Sequence, residues 1–219
     1  MKVDLRVYAL VDPERAGGRA LPALAGLLAA GGATLLQLRD KRRDTRPMIE
    51  HARAIVAALA PHDVPLLIND RVDVALAAGA QGVHVGWDDM DARDARKLLG
   101  PDAIIGLSIK TIAQAERAPL EVLDYVAIGG VFVTLSKNNP DPPIGLAGLS
   151  RIAGAIRARA KMPVGAIAGI DAGNAAEVVA AGADGVAVIS ALSLAPDPQA
   201  ATRALRTIVD RALAQRGAR

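Results

Sequence analysis
The residues of this chain that could do chemistry fall into a few short clusters. Gln37, Arg39, Asp40 and Lys41 stand together, followed by Asn69 and Asp70, then by Asp88 and Asp89. Ser108 and Lys110 come next, and after them Thr134, Ser136 and Lys137. Arg39, Lys41 and Lys137 offer positive charge, while Asp70 and Asp89 offer carboxylates. Scattered over a surface, such groups would be ion pairs worth about 0–1 kcal/mol each. Gathered on one rim, they suit a divalent cation and a phosphorylated ligand. Mg2+ takes one or two protein carboxylates and completes its octahedron with water and phosphate oxygens. Arg and Lys hold the remaining phosphate oxygens through charge-assisted hydrogen bonds. The combination reads as a magnesium–diphosphate site. The chain has no Cys, so thiolate nucleophiles, thiolate metal sites and disulfides are excluded.

A second anion site is expected where Gly169 ends IAG and Ile189-Ser190 ends VAVIS, each just before a helical stretch. Backbone N–H groups in such loops bind phosphate in many barrels. Two phosphate sites on one rim imply two phosphorylated substrates, or one bisphosphate.

The clusters share one rim only if the elements before them run in parallel. Ala-Ala-Gly followed by a strand-like apolar run recurs at 28–38, 76–85 and 179–188. Each occurrence reads as a helix ending at Gly, a turn and a buried strand. Strands are expected at 7–12, 34–40, 65–70, 82–86, 103–108, 124–130, 164–169 and 185–190. Helices are expected at 20–31, 46–60, 71–79, 91–99, 112–118, 146–160, 174–181 and 198–215. Continuous apolar strands alternating with helices indicate a parallel sheet, and eight such units predict a single-domain α/β fold, a (β/α)8 TIM barrel over 1–219. An open doubly wound sheet would carry GxGxxG or a P-loop after the first strand, where DPERAGG stands instead. The longest loop, SKNNPDPPIG at 136–145, is expected to be functional and to fold over a substrate.

Composition agrees. Hydrophobic residues make up 52% and charged residues 22%, which excludes disorder. Aromatics are 2%, namely Trp87, Tyr8, Tyr125 and Phe132, so the core must be built from Ala, Val, Leu and Ile. The net charge of +3 is scattered, and with so few rings to stack on bases it does not signal nucleic-acid binding. The longest uncharged stretch, 21–38, holds Pro22, Gly31-Gly32 and Gln37 and splits into a helix and a strand, so no membrane span is expected. A soluble cytoplasmic protein follows, with oligomeric state left open, a homo-oligomer included. His84, alternating with apolar neighbours, reads as a hydrogen-bonded core residue, and His51 and His62 read as surface residues. Trp87 either lines the mouth beside Asp89 or caps the helix ring.

The chain resembles the thiamine phosphate synthase family. The likeness is carried by QLRDK (37–41), IND (68–70), GVHVGWDD (82–89), GLS (106–108), GGVFVTLSK (129–137), AGI (168–170) and AGADGVAVIS (181–190). It implies coupling of hydroxymethylpyrimidine diphosphate to a thiazole phosphate with Mg2+, releasing diphosphate. It makes Gln37, Arg39, Lys41, Asn69, Ser108 and Lys137 ligands of the pyrimidine diphosphate, with Leu38 and Asp40 in the same stretch. Arg39, Lys41, Lys137 and Ser108 are the catalytic candidates among them, and Asp70 and Asp89 become the Mg2+ ligands. Thr134, Ser136 and the backbone of Leu135 would meet the thiazole phosphate, with Gly169, Ile189 and Ser190 completing that pocket. Ionisation of the pyrimidine before addition of the thiazole is implied, a step that needs no strong base. The chain departs from the family pattern at Asp40 (often Glu), Trp87 (Gln), Lys110 (His), Ser136 (Thr) and Ala168 (Gly). None of these changes removes a diphosphate or Mg2+ ligand. A thiazole tautomerase or a non-catalytic binding homologue on the same scaffold is the alternative.

Overall fold
The computed structural model describes residues 3–134, 136 and 141–218. Eight parallel strands close into a barrel in sequence order. They are β1 (Val7–Val11), β2 (Leu35–Leu38), β3 (Leu66–Asn69), β4 (Gly82–Val85), β5 (Ile104–Ile109), β6 (Tyr125–Gly129), β7 (Val164–Ile167) and β8 (Gly185–Val188). The helices that return the chain to the start of the next strand are α1 (Leu21–Ala30), α2 (Thr45–Leu59), α3 (Val72–Ala78), α4 (Ala92–Leu99), α5 (Ile112–Arg117), α6 (Gly145–Arg159) and α7 (Ala175–Ala180). After β8 come a one-turn helix, α8 (Ser190–Ser193), and the long α9 (Pro198–Gly217). Every expected strand and helix is present within a few residues of its expected bounds. The turn α8 and three short 3-10 segments are additions that apolar periodicity does not register, because each is too short to show a repeat. The stretch 21–38 divides into α1 and β2, and among the described residues no helix is long and apolar enough to cross a membrane.

Strand alternation sorts the core into two clusters. Val7, Leu36, Ile68, Val83, Leu107 and Val186 belong to the larger cluster with helix residues such as Leu24, Ile55 and Ile152, the layer between sheet and helices. Tyr8, Leu10, Leu35, Leu67, Tyr125 and Ile189 form the smaller cluster inside the barrel. Parallel register places Asn69, His84, Gly106 and Tyr125 side by side on successive strands. Gly106 is required at its place in this row, because a Cβ there would occupy the position of the Tyr125 ring and hydroxyl. Gly82 and Gly185 have the same role near the other end of the barrel, against the Ile104 and Leu5 backbones.

Gly106→Ala is therefore expected to destabilise the fold by about 1–3 kcal/mol, the usual cost of forcing extra volume into a packed core. A lower urea midpoint with an unchanged m value would show it.

Candidate active site
The C-terminal ends of the strands converge on two adjoining hollows. The inner one, about 40 Å³, is lined by Gln37, Arg39, Asn69, His84 and Ser108 together with Tyr8 and Leu10. The outer one, about 340 Å³, lies across the loops after β6, β7 and β8 and is lined by Thr134, Ser136, Gly169 and Ser190. Ile167 and Ile189 border both, so the two hollows open into one mouth.

Gln37, at the end of β2, points inward and is almost fully buried, and its Nε2–H donates to the Tyr8 hydroxyl. Arg39 follows the strand and pairs with Asp12 at 2.5 Å. Asp12, the residue directly after β1 and the cap of the short turn that follows, was not among the candidates read from the sequence. It is 2% exposed and also accepts from the Glu14 N–H. An acid directly after a barrel strand was the available signal. Losing one partner of a buried pair costs about 3 kcal/mol, so Asp12 is an anchor that fixes where the guanidinium stands.

Two residues of the 37–41 stretch have a different place from the one expected. Leu38 is buried in the outer layer between sheet and helices, because it alternates with the inward Gln37, so its side chain does not reach the mouth. The Asp40 carboxylate accepts from the Arg42 and Arg43 N–H groups and pairs with the Arg43 guanidinium at 2.9 Å, which closes the loop after β2. Lys41 reaches across to Asp70 and pairs with it.

Asp70 leaves β3 with φ +62, a left-handed conformation that Asp tolerates better than most residues and one found often at functional sites. Burial is the main cause that holds its carboxyl above the ordinary value; Lys41 opposes the shift, and Asp89, within hydrogen-bonding reach, adds to it. The Asp89 carboxylate also accepts from the Gly86 N–H at 2.7 Å. Two adjacent carboxylates form a hard-oxygen donor set for a divalent cation. Among the described residues no cluster of three or more His, Cys, Asp or Glu could hold a metal, so an ion here would draw its other ligands from water and substrate, as Mg2+ does.

The buried Asn69 Nδ2 has no hydrogen-bond partner, although it borders the inner hollow. Such an unsatisfied buried donor is rare, and this one is available to a group entering the hollow. Ser108 Oγ meets His84 Nε2 at 2.9 Å, and His84 Nδ1 meets the Tyr125 hydroxyl at 2.8 Å. The hydrogen-bonded reading of His84 therefore holds, and its ring also lines the hollow. In the outer hollow Ser136 Oγ lies 2.7 Å from Ser190 Oγ, and the Ser136 N–H donates to Thr134 Oγ1 at 3.1 Å. Ala168 and Gly169 take consecutive positive φ values of +88 and +65, which an alanine tolerates poorly and which accounts for glycine being usual at position 168 in the resemblance. A Cβ on Gly169 would collide with the chain at Phe132 and Val133, so these loops pack with no space to spare.

Leu135, Lys137 and the loop positions 138–140 lie outside the described residues. At the far end of that loop Asp141 pairs with Lys110 at 3.0 Å. Trp87 is 37% exposed and carries the Arg117 guanidinium over its ring at 5.7 Å; neither it nor Lys110 lines the inner hollow. His62 is exposed, as expected, but His51 is half buried with an unpartnered Nδ1, since α2 turns that flank toward its neighbours.

Fold and rim together define a (β/α)8-barrel enzyme whose mouth sets basic groups and carboxylates beside two pockets. The sequence model of the family described as thiamine monophosphate synthase matches residues 7–192. Thiamine-phosphate synthase of Agrobacterium fabrum is 55% identical over 216 residues, covering 98% of each chain. The protein of that name from Moorella thermoacetica is 45% identical over 206 residues, covering 94% of this chain and 96% of the other. The solved thiamine phosphate pyrophosphorylase from Pyrococcus furiosus superposes with a TM-score of 0.84 at 36% identity, over 97% of this chain and 98% of that one. This chain belongs to the thiamine monophosphate synthase family.

A carboxyl whose pKa is higher folded than unfolded costs the folded state stability as pH rises from the unfolded value, 3.8 for Asp70, to the folded one, and the cost is complete above that. Asp70→Asn removes this ionisation. Its urea midpoint is expected to exceed that of the wild type at neutral pH and to match it well below the carboxylate range. A variant less stable at neutral pH would mean that the Lys41 pairing outweighs burial.

Proposed function
We propose that this chain is a magnesium-dependent thiamine-phosphate synthase, a transferase that couples an aminopyrimidine diphosphate to a thiazole phosphate and releases diphosphate. The observation that carries the reading is the pair of hollows sharing Ile167 and Ile189. One is ringed by Arg39, Gln37, Asn69 and Ser108, and the other by the hydroxyls of Thr134, Ser136 and Ser190. Two phosphorylated substrates held side by side need this arrangement.

The roles follow from charge and reach. In this reading the aminopyrimidine turns one edge to the inner hollow, with its diphosphate extending toward Arg39 and Lys41. Lys137 completes this basic set in the proposal. Arg39 enters the reaction already oriented by Asp12, so its charge stands in place before the diphosphate begins to leave. Lys41, paired with Asp70, is shared between the carboxylate and the departing oxygens. Asp70 and Asp89 would hold Mg2+, which when bound supplies further positive charge to the leaving diphosphate. As the bond between the pyrimidine methylene and diphosphate breaks, the electron-rich ring carries the positive charge. The thiazole nitrogen then adds without help from a strong base, in keeping with a chain that has no Cys. Thr134, Ser136 and Ser190, with the Gly169 and Ile189 backbone and the Leu135 backbone beside them, would hold the thiazole phosphate against the pyrimidine. Fixing both partners in one mouth removes much of the entropic barrier.

Purified protein mixed with both phosphorylated substrates should form thiamine phosphate and diphosphate in equal amounts, and only with Mg2+ present. Absence of product with both substrates and Mg2+ would overturn the reading. Asp70→Asn should lose most of the turnover while remaining folded. Arg39→Ala should raise the KM for the pyrimidine substrate about 10–100-fold, the equivalent of one charge-assisted hydrogen bond. An unchanged KM would remove Arg39 from the diphosphate site.

A further inference from the structure
The chain has two tyrosines, and both hydroxyls lie at the centre of the barrel, 2.9 Å apart. Their rings meet edge-on at 87°, and the His84 ring stacks on Tyr125 at 5.6 Å between centroids. The contacts join into one chain of hydrogen bonds, from Gln37 through Tyr8, Tyr125 and His84 to Ser108. Gln37 and Ser108 are the two ends, and both line the inner hollow.

The direction of that chain is set at its first member. An amide Nε2 has protons to give and cannot accept. The Tyr8 oxygen must therefore accept from Gln37, and its own proton goes to the next oxygen, that of Tyr125. The Tyr125 proton then has His84 Nδ1 at 2.8 Å to receive it. A ring nitrogen that accepts carries no proton, so the neutral imidazole bears its proton on Nε2 and gives it to Ser108 Oγ. Burial raises the pKa of both tyrosines, so each keeps the hydroxyl proton this direction requires.

We infer that Tyr8, Tyr125 and His84 are positioning residues: a one-way relay that holds His84 as its Nε2–H tautomer and leaves the Ser108 hydroxyl proton free to be donated into the inner hollow. Had the amide offered its oxygen to Tyr8, every bond in the chain would reverse. Ser108 would then spend its proton on His84 and face the ligand only as an acceptor. With the relay running as it does, Ser108 joins the unpartnered Asn69 Nδ2 as a donor to the hollow. At the other end, the Gln37 amide keeps its carbonyl oxygen to offer a ligand. A ligand edge that pairs an amino donor with ring-nitrogen acceptors matches this set. That last step rests on the function proposed above, whereas the tautomer does not. Gly106 belongs to the device as well, since its missing side chain makes the space that lets Tyr125 reach both partners.

The test is the 15N NMR spectrum of the protein labelled at histidine, recorded without substrate at a pH well above the ordinary imidazole range. The chain has three histidines, and His84→Gln identifies the signal that matters. The expected result is a single neutral Nε2–H tautomer at His84. A Nδ1–H tautomer or an imidazolium would overturn the relay, whatever the activity of the protein. Gln37→Glu replaces the donor with an acceptor and is expected to switch His84 to Nδ1–H; an unchanged tautomer would show that the direction is set elsewhere. Tyr8→Phe is expected to leave kcat within a few-fold while raising the KM for the pyrimidine substrate about tenfold, and to mix the two tautomers. Retention of a pure Nε2–H tautomer in Tyr8→Phe would also count against the relay. If the labelled protein shows Nε2–H but makes no thiamine phosphate, the relay stands and the functional reading falls.

Discussion
Closing eight short parallel strands leaves each side chain only two destinations, the layer against the helices or the interior of the barrel. The interior is narrow, and it is shared by every strand. Here it contains two tyrosines, a histidine and a glutamine that cannot be left without hydrogen-bond partners. They find those partners in one another, across strands far apart in sequence. The rest of the site is built on that column: Gln37 and Ser108 are its ends, Gly106 is the space it requires, and Asn69 is its neighbour in the row.

Above the column the rim changes from neutral hydrogen bonding to charge. Arg39 is held by Asp12, and Lys41 is held by Asp70, so the geometry of both basic groups is already restricted. Asp70 is the opposite case, a carboxylate whose charge is made costlier by burial first and by the neighbouring Asp89 as well. That cost is useful where a cation has to be attracted. The raised pKa and the left-handed backbone of Asp70 both mark a residue placed for chemistry at some expense in stability.

Much of this was legible beforehand. The alternation of apolar runs with helical stretches is a local pattern, and it located all eight strands and the helices between them. The rim residues were legible because a barrel puts whatever follows each strand on one side. Leu38 and Asp40 were grouped with their neighbours by adjacency, and alternation along the strand and loop closure sent their side chains elsewhere. Asp12 was hidden by standing as the last residue of the expected first strand, two positions before a second acid, Glu14, and Tyr8 and Tyr125 were hidden by resembling ordinary core aromatics.

The sequence by itself determined the architecture and the family, because both depend on residue type, order and short-range spacing. Only the tertiary structure decided the partnerships: Asp12 with Arg39, Lys41 with Asp70, and Tyr8 with Tyr125 across 117 positions. Those depend on strand register and on barrel closure, which set which side chains meet across the interior. No local pattern carries that information, because register is settled only when the last strand pairs with the first.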